Sequence, residues 1–293
     1  MNSICCVIIT YNCDEDFIKT FNSVKNQVNK IAIVDNGSKK ETLDILNILK
    51  EENDIELILL PKNLGIAAAQ NIGVKYALGN NYEWVMTLDH DSVLDKNMVS
   101  EMMKAWENLS EKDKKMTLSI FPHYIEANLD INQQLDGDNE YIREVENGIS
   151  AGNIINREIF QKVGLFDEKL FIDWVDFDLC CRISNEGYKM IEVGKAFLYQ
   201  TVGETIIKKF LFKNPRCTNH PPLRRYYSTR NRFYCWSKYD DNTVDFIKED
   251  KKIFYRDIIR IIGCEEMKYQ KLKMIIKGYI DYKKNNFGEY RSK

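Results

Sequence analysis

The feature that most constrains this chain is an alternation over its first 120 residues, in which short unbroken apolar runs are separated by longer amphipathic stretches. Runs such as Ile4 to Thr10 lack a polar face, as strands covered on both sides do, whereas the stretches between them have helical periodicity. The expected fold is therefore α/β, a doubly wound and mostly parallel sheet flanked by helices. Strands are expected at Ile4 to Thr10, Ile31 to Asp35, Ile55 to Leu60, Trp84 to Leu88 and Thr117 to Phe121. Helices are expected at Glu15 to Asn26, Lys40 to Glu51, Ile66 to Leu78 and Lys96 to Asn108.

Open sheets of this kind bind ligands outside the carboxyl ends of their strands. Those ends are polar here: Thr10-Tyr11-Asn12, Asp35-Asn36-Gly37-Ser38, Pro61-Lys62-Asn63-Leu64-Gly65 and Asp89-His90-Asp91-Ser92. Asp89 and Asp91, one residue apart in a loop, suit a divalent cation and its bound diphosphate. Taken alone they read equally as a turn before a helix capped by Ser92 or Asp95; the polar strand ends nearby favour the ligand reading. Asp35 fits either a nucleobase or ribose acceptor or an Asx turn, and Tyr11 either stacks on a base or packs above the sheet. Asn63 and Gly65 open a helix whose amides suit a phosphate, or simply cap it. No G-x-G-x-x-G or G-K-[ST] element occurs, which removes the main support for dinucleotide and P-loop folds.

Residues 122 to 148 are polar, with 128 to 139 rich in Asn, Asp and Gln, and read as a surface excursion instead of core. A second block from Ile149 to Gly203 reads as strand, helix, loop, helix and strand. Its loop crowds Asp173, Asp176 and Asp178 among Phe171, Trp174 and Phe177, a setting that raises a carboxylate toward useful basicity. Asp178 and Arg182 stand four residues apart and suit a surface ion pair, so Asp176 is the preferred base. From Pro221 onward the pattern is helical, basic and aromatic.

The ordered set of segments resembles the family 2 glycosyltransferases, and within them the bacterial rhamnosyltransferase-like branch. The matching residues are Val34 to Ser38, Asn63 to Gly73, Leu88 to Ser92, Ser150 to Gly152, Val163 to Glu168, Asp173 to Arg182 and Arg225 to Asn231. The resemblance implies a GT-A fold over 1–215, with a nucleotide-binding half of about 1–120 and an acceptor half of about 121–215, followed by a helical basic extension over 216–293. It implies a nucleotide-diphosphate sugar donor, possession of a divalent metal (Mn²⁺ or Mg²⁺), a saccharide acceptor and inversion at the anomeric carbon. Thr10, Tyr11, Asn12, Asp35, Asn63, Gly65, Asn71 and Asp89 would hold the nucleotide, and Asp89 and Asp91 the metal. Asp176 would be the catalytic base; Ser150, Gly152, Asn153, Asp173 and Trp174 would line the sugar and acceptor side; Arg230 would neutralise phosphate or else pair with a helix carboxylate. Where many relatives carry a metal-contacting His shortly before a Gly, this chain has Gln200 before Gly203, a weaker ligand. His220 either folds back to the metal or, the preferred reading, is an exposed loop residue; His90 points away from the metal.

Two other functions compete with this one. A nucleotidyltransferase of similar architecture would carry a Gly-rich, Arg-containing loop after the first strand, where this chain has Tyr11-Asn12-Cys13. A non-catalytic sugar-nucleotide-binding protein fits Gln200, which would weaken metal chemistry, whereas the presence of Asp89, Asp91 and Asp176 together argues against it.

Formal net charge is only −2, which suggests no nucleic-acid partner, yet residues 251–293 hold 12 Lys or Arg against 5 Asp or Glu. Apolar residues interleaved there fit contact with an anionic bilayer carrying a lipid-linked acceptor, a homodimer interface, or plain core packing. No stretch approaches the roughly 18 apolar residues of a membrane span, and the first apolar run is too short for a signal peptide. The expected location is cytoplasmic, at most peripheral on the inner face of the plasma membrane. The eight cysteines lack zinc spacing and include two adjacent pairs inside apolar patterns, as reduced core thiols do.

Overall fold

A computed structural model describes residues 3–126, 139–200, 206–207, 216–217, 219–239 and 245–292. Its first half runs β1 (Ile4–Thr10), α1 (Phe17–Val24), β2 (Lys30–Asp35), α2 (Lys40–Glu52), β3 (Ile55–Leu59), α3 (Ile66–Gly79), β4 (Trp84–Asp89), β5 (Ser92–Leu94), α4 (Met98–Glu107), α5 (Glu111–Met116) and β6 (Thr117–Glu126). The second half runs β7 (Ile142–Val145), β8 (Ile154–Asn156), α6 (Arg157–Val163), a 3₁₀ turn at Glu168–Leu170, α7 (Val175–Asn185), β9 (Lys189–Gln200), β10 (Ile206–Ile207) and β11 (Arg216–Cys217). Three helices close the chain: α8 (Pro222–Lys238), α9 (Asp245–Gly263) and α10 (Lys268–Lys283). Of the surface excursion expected at 122–148, residues 127–138 lie outside the described residues; its start is instead the end of β6, with Pro122, Ile125 and Glu126 buried, and Ile142–Val145 forms β7.

Among the described residues the main sheet has the order β3-β2-β1-β4-β8-β6-β9-β5, with β7 also on β9. β1, β2, β3 and β4 are mutually parallel, and β8 joins antiparallel. Every residue of β1 is buried, because alternate side chains enter two separate cores. Cys6 and Ile8 pack with Phe17, Phe21, Leu46 and Met98 on one face. Cys5, Val7 and Ile9 pack with Ala67, Val74, Ile159 and Leu179 on the other. The second interface is close enough to need a glycine: a Cβ at Gly73 of α3 would lie 2.1 Å from Val7 Cγ1, so Gly73→Ala would force α3 off the sheet.

Two elements depart from the sequence pattern. β5 was not expected, since three residues are too few to carry a period; Ser92 is in this strand and does not cap a helix. β6 extends five residues past the expected end and keeps its pairing with β9 through two register shifts. The seven cysteines whose side chains are described are all unbridged and buried. No helix among the described residues is long and apolar enough to cross a membrane.

Candidate active site

The strand order reverses direction between β1 and β4, and in such sheets the crevice forms at that point. Ile9 pairs with Asp89, and Thr10 with Asp35. Three of the polar strand ends therefore share one edge. Asp35 is buried and accepts from Thr10 Oγ1 (3.1 Å), Gly37 N (3.2 Å), Ser38 N (2.9 Å) and Ser38 Oγ (2.5 Å). These bonds build the Asx turn and fix the loop that displays Tyr11, which is 43% exposed. Asn12, at φ 49°, joins the two loops by accepting from Lys39 N (3.0 Å) and by its amide donating to Ser38 Oγ (2.8 Å).

The loop before α3 is tied to the same turn. Asn36 donates to Asn63 Oδ1 (3.1 Å) and accepts from Leu64 N (2.8 Å), while Gly65 N also donates to Asn63 Oδ1 (2.8 Å). Gly65 has φ +88°, and a Cβ there would meet the Phe171 carbonyl oxygen at 2.7 Å. That oxygen takes the Ile66 amide at 2.6 Å. The Ile66 amide of α3 is thus spent on the Phe171 loop and the Gly65 amide before it on Asn63, so Asn63 and Gly65 join these loops.

Asp89 ends β4 half-buried, and Asp91 is exposed on the turn to β5. β5 pairs with β9 so that Ser92 faces Gln200, and this short strand brings Gln200 to the acids. Gln200 Nε2 donates to Asp89 Oδ2 (3.3 Å) and Asp91 Oδ1 (3.2 Å). Two carboxylates converging on one point repel unless a donor or cation lies between them, and the amide nitrogen fills that place. Burial first, and Asp91 second, holds the Asp89 carboxyl above the usual carboxylate range. The His90 carbonyl is anchored by Thr20 Oγ1 (2.9 Å).

This donor set fits a hard divalent cation. Asp89 Oδ2 and Asp91 Oδ1 face one point, and a half-turn of the Gln200 amide would aim Oε1 there as a third oxygen. Among the described residues no three His, Cys, Asp or Glu side chains converge, so diphosphate and water would complete the shell. His220 is half-buried, not the exposed loop residue expected. Burial, then Arg224 and neighbouring cations, pushes its imidazole down to about 3 and keeps it neutral.

Beside the acids, the turn 150–153 is clamped to β4. Thr87 donates its hydroxyl to Ser150 O (2.5 Å) and its amide to Asn153 O (3.0 Å), and Gly152 N donates to Thr87 O (2.7 Å). Asn153 is buried and accepts from Ser119 Oγ at 2.9 Å. Ser150 N in turn donates to Asp176 Oδ2 (3.3 Å), and Phe177 N to Asp176 Oδ1 (2.9 Å). Asp176 opens α7, where the helix end favours a carboxylate. Desolvation nevertheless dominates and pushes Asp176 up to about 6, with the charge of Asp89 adding to the rise.

The segment leading to Asp176 is strained: Phe171, Asp173 and Trp174 have φ of 64°, 64° and 69°, which non-glycine residues adopt only when held. The holding comes from α8. Asn231 Nδ2 donates to the carbonyls of Leu170, Ile172 and Asp173, each at 2.8 Å. Arg230 Nη2 donates to Lys169 O (3.2 Å) and Leu170 O (3.0 Å), and its Nη1 to Gly288 O (2.7 Å). Arg230 is wholly buried against the rings of Tyr226, Tyr227 and Phe287. It is therefore a brace, and the expectation of a phosphate-neutralising role gives way to this one, since its donors are committed to carbonyls.

Two further expected residues are likewise structural. Asn71 is buried, accepting from Phe166 N and donating to Phe166 O and Glu168 Oε1, each at 2.9 Å. Trp174 is buried and packs on Phe177 and Phe246 instead of lining a sugar site. Asp178 is wholly buried, held by Arg182, Lys238 and Tyr239, so its pair with Arg182 is not the surface bridge expected. An exposed cation at the site, Arg224, donates Nε to Asp173 Oδ1 at 3.1 Å and acts electrostatically on Asp89. Asp173 Oδ2 is buried with no hydrogen-bond partner among the described residues. Arg224 stands beside a matched motif without belonging to it, and no sequence signal marks it.

Comparison with known proteins shows the family and the fold. The model of the glycosyl transferase family 2 matches residues 5–164, more than half of the chain. The chain belongs to that family and is a glycosyltransferase. It is 29% identical to dTDP-rhamnosyl transferase RfbF of Shigella flexneri, over 96% of this chain and 96% of that protein. It is 21% identical to the low-salt glycan biosynthesis hexosyltransferase Agl10 of Haloferax volcanii, over 85% of this chain and 80% of that one. The fold is of the GT-A type. S. aureus TarS 1-349 in complex with UDP-GlcNAc superposes with TM-score 0.54 at 15% identity, over 94% of this chain and 71% of that one. GalNAc-T7 with UDP, GalNAc and Mn²⁺ does so with TM-score 0.56 at 16% identity, over 79% of this chain and 47% of that one.

Proposed function

We propose that this glycosyltransferase moves a sugar, with inversion, from a nucleotide diphosphate to a saccharide acceptor, and that Asp176 is its base. The observation that carries the reading is the convergence of Asp89 and Asp91 on one point beside an Asp176 carboxyl whose value rises to about 6. A carboxylate near neutrality combines usable basicity with substantial ionisation at physiological pH. In the proposed reaction the acceptor hydroxyl gives its proton to Asp176 as its oxygen bonds to the anomeric carbon. The bond from that carbon to the diphosphate breaks, and its electron pair leaves on the phosphate oxygen. A divalent ion, Mn²⁺ or Mg²⁺, held by Asp89 and Asp91, would neutralise that departing charge. Tyr11 offers an exposed ring for the base, with Thr10, Asn12 and Asp35 shaping its seat. Ser150, Gly152, Asn153 and Asp173 border the sugar and acceptor side.

The proposed division puts the chemistry in 1–215 and the brace in 216–293. Likeness to dTDP-rhamnosyl transferase RfbF supports dTDP-rhamnose as donor; a lipid-linked acceptor in bacterial cell-surface polysaccharide synthesis is part of the same proposal. The test is a panel of dTDP- and UDP-sugars with Mn²⁺ or Mg²⁺, read by thermal stabilisation and donor hydrolysis. Response to dTDP-rhamnose is expected; response only to UDP-hexoses would change the donor, and response to none would overturn the reading.

A further inference from the structure

The charges of the C-terminal hairpin are sorted by side. Its inward carboxylates meet cations and donors of α8 or its own interior: Asp250 takes Arg232 Nε (3.2 Å) and Trp236 Nε1 (3.0 Å). Glu265 takes Arg225 Nη2 (2.7 Å) and Lys271 Nζ (2.9 Å), and Asp281 takes the Tyr226 hydroxyl (2.9 Å). Facing outward are Lys248, Arg256, Lys268, Lys273, Lys283 and Lys284, against the exposed carboxylates Asp245, Glu249 and Glu266. Glu249 is itself paired with Lys252, at 2.5 Å.

Between these cations the same face is apolar. Tyr255, Ile259 and Ile262 follow one another at helical spacing on α9, Met267 lies in the connection, and Tyr269 and Ile276 follow on α10. Their exposures run from 54% at Ile262 to 78% at Tyr269, far beyond what a packed helix leaves open. More than half of the large exposed hydrophobics among the described residues fall between Tyr255 and Ile280, so this is a concentration and not ordinary scatter.

We propose that the outward face of the α9–α10 hairpin lies on an anionic lipid bilayer. The observation that selects this occupant is the charge sorting. Isoleucine and tyrosine side chains enter the headgroup boundary while flanking lysines reach anionic headgroups, a combination that neither feature achieves alone. A second copy docking by the same face would bring two basic surfaces together, which like-charge repulsion opposes. The inference rests on the proposed lipid-linked acceptor only for its purpose; the surface itself stands on the residues named.

The experiment is sedimentation of the full chain with phosphatidylcholine vesicles, with and without phosphatidylglycerol, comparing wild type, Lys268→Glu/Lys273→Glu and Ile259→Ser/Ile262→Ser. Thermal melting establishes that each variant is folded, and lipid-free donor hydrolysis is read on the same samples. Wild type is expected to bind the anionic vesicles and release them in high salt, with each variant binding about 10-fold less or weaker still. Donor hydrolysis should be equal in all three. Equal binding to neutral vesicles, or unchanged binding in both variants, overturns the proposal. So does a wild-type dimer by light scattering that Ile259→Ser/Ile262→Ser converts to monomer, which would give the face to a second copy. Loss of donor hydrolysis in the wild type would speak against the transferase reading and leave the vesicle result independent.

Discussion

The two acidic regions of the site are held by opposite means. Asp89 is the last residue of a strand hydrogen-bonded to β1 on one side and β8 on the other, so its backbone follows from the sheet itself. Asp176 follows a segment with three positive φ values, kept in shape by Asn231 and Arg230 from a helix some sixty residues further on. The first region inherits its geometry from the core, whereas the second is hostage to a distant brace. Metal and nucleotide chemistry should therefore tolerate damage to α8 far better than proton transfer does.

The largest separation should come from Asp176→Asn. Transfer should fall about 10³-fold, the range spanned by loss of a general base, while donor-induced thermal stabilisation persists. Stability should move the other way. Asp176 has a folded value of about 6 against an ordinary 3.8. Its contribution is thus fully present below the ordinary value and is lost as pH rises toward 6. Melting curves across that window should show this loss in the wild type, and less of it in the variant. Retained transfer would remove Asp176 from the mechanism.

Asp89→Asn should come next, lowering kcat/KM about 100-fold with loss of metal-dependent donor binding and little change in melting temperature. A comparable fall in stability would mean that β4 depends on its terminal acid, contrary to the contrast drawn above. Asn231→Ala should act more mildly on the rate and more severely on the fold. It strips a donor from three carbonyls, an expected loss of about 1 to 3 kcal/mol by chemical denaturation, with kcat down about 10-fold and donor KM unchanged. A rise in donor KM without a fall in kcat would break the assignment of the brace to the base.

The same contrast explains what could be read from the amino-acid order. β2 and β4 are mainly apolar runs, and Asp35 and Asp89 follow from where those runs stop. A raised carboxyl at Asp176 is expected from its apolar neighbours in sequence, and burial does raise it. Gln200 stood out by type, but its approach to Asp91 depends on three-residue β5, which is too short to have a pattern. The phosphate role expected of Arg230 comes from the family resemblance, and the sequence around it carries no mark of the carbonyls its donors reach, which lie about sixty residues away. Trp174 lay beside the acids in sequence, yet a left-handed backbone turned its ring into the core. Periodicity reports which face is buried and is silent about such cross-chain hydrogen bonds.

The most direct test of the central claim, that Asp176 is the base and that α8 holds it in a desolvated seat, is the pH dependence of kcat/KM. The wild type should lose rate on the acid side with an inflection near the value of about 6. Asn231→Ala should show that inflection at lower pH, because a released loop admits water and favours the charged carboxylate. A flat wild-type profile from about pH 5 to about pH 8, or an inflection indifferent to Asn231, would contradict it.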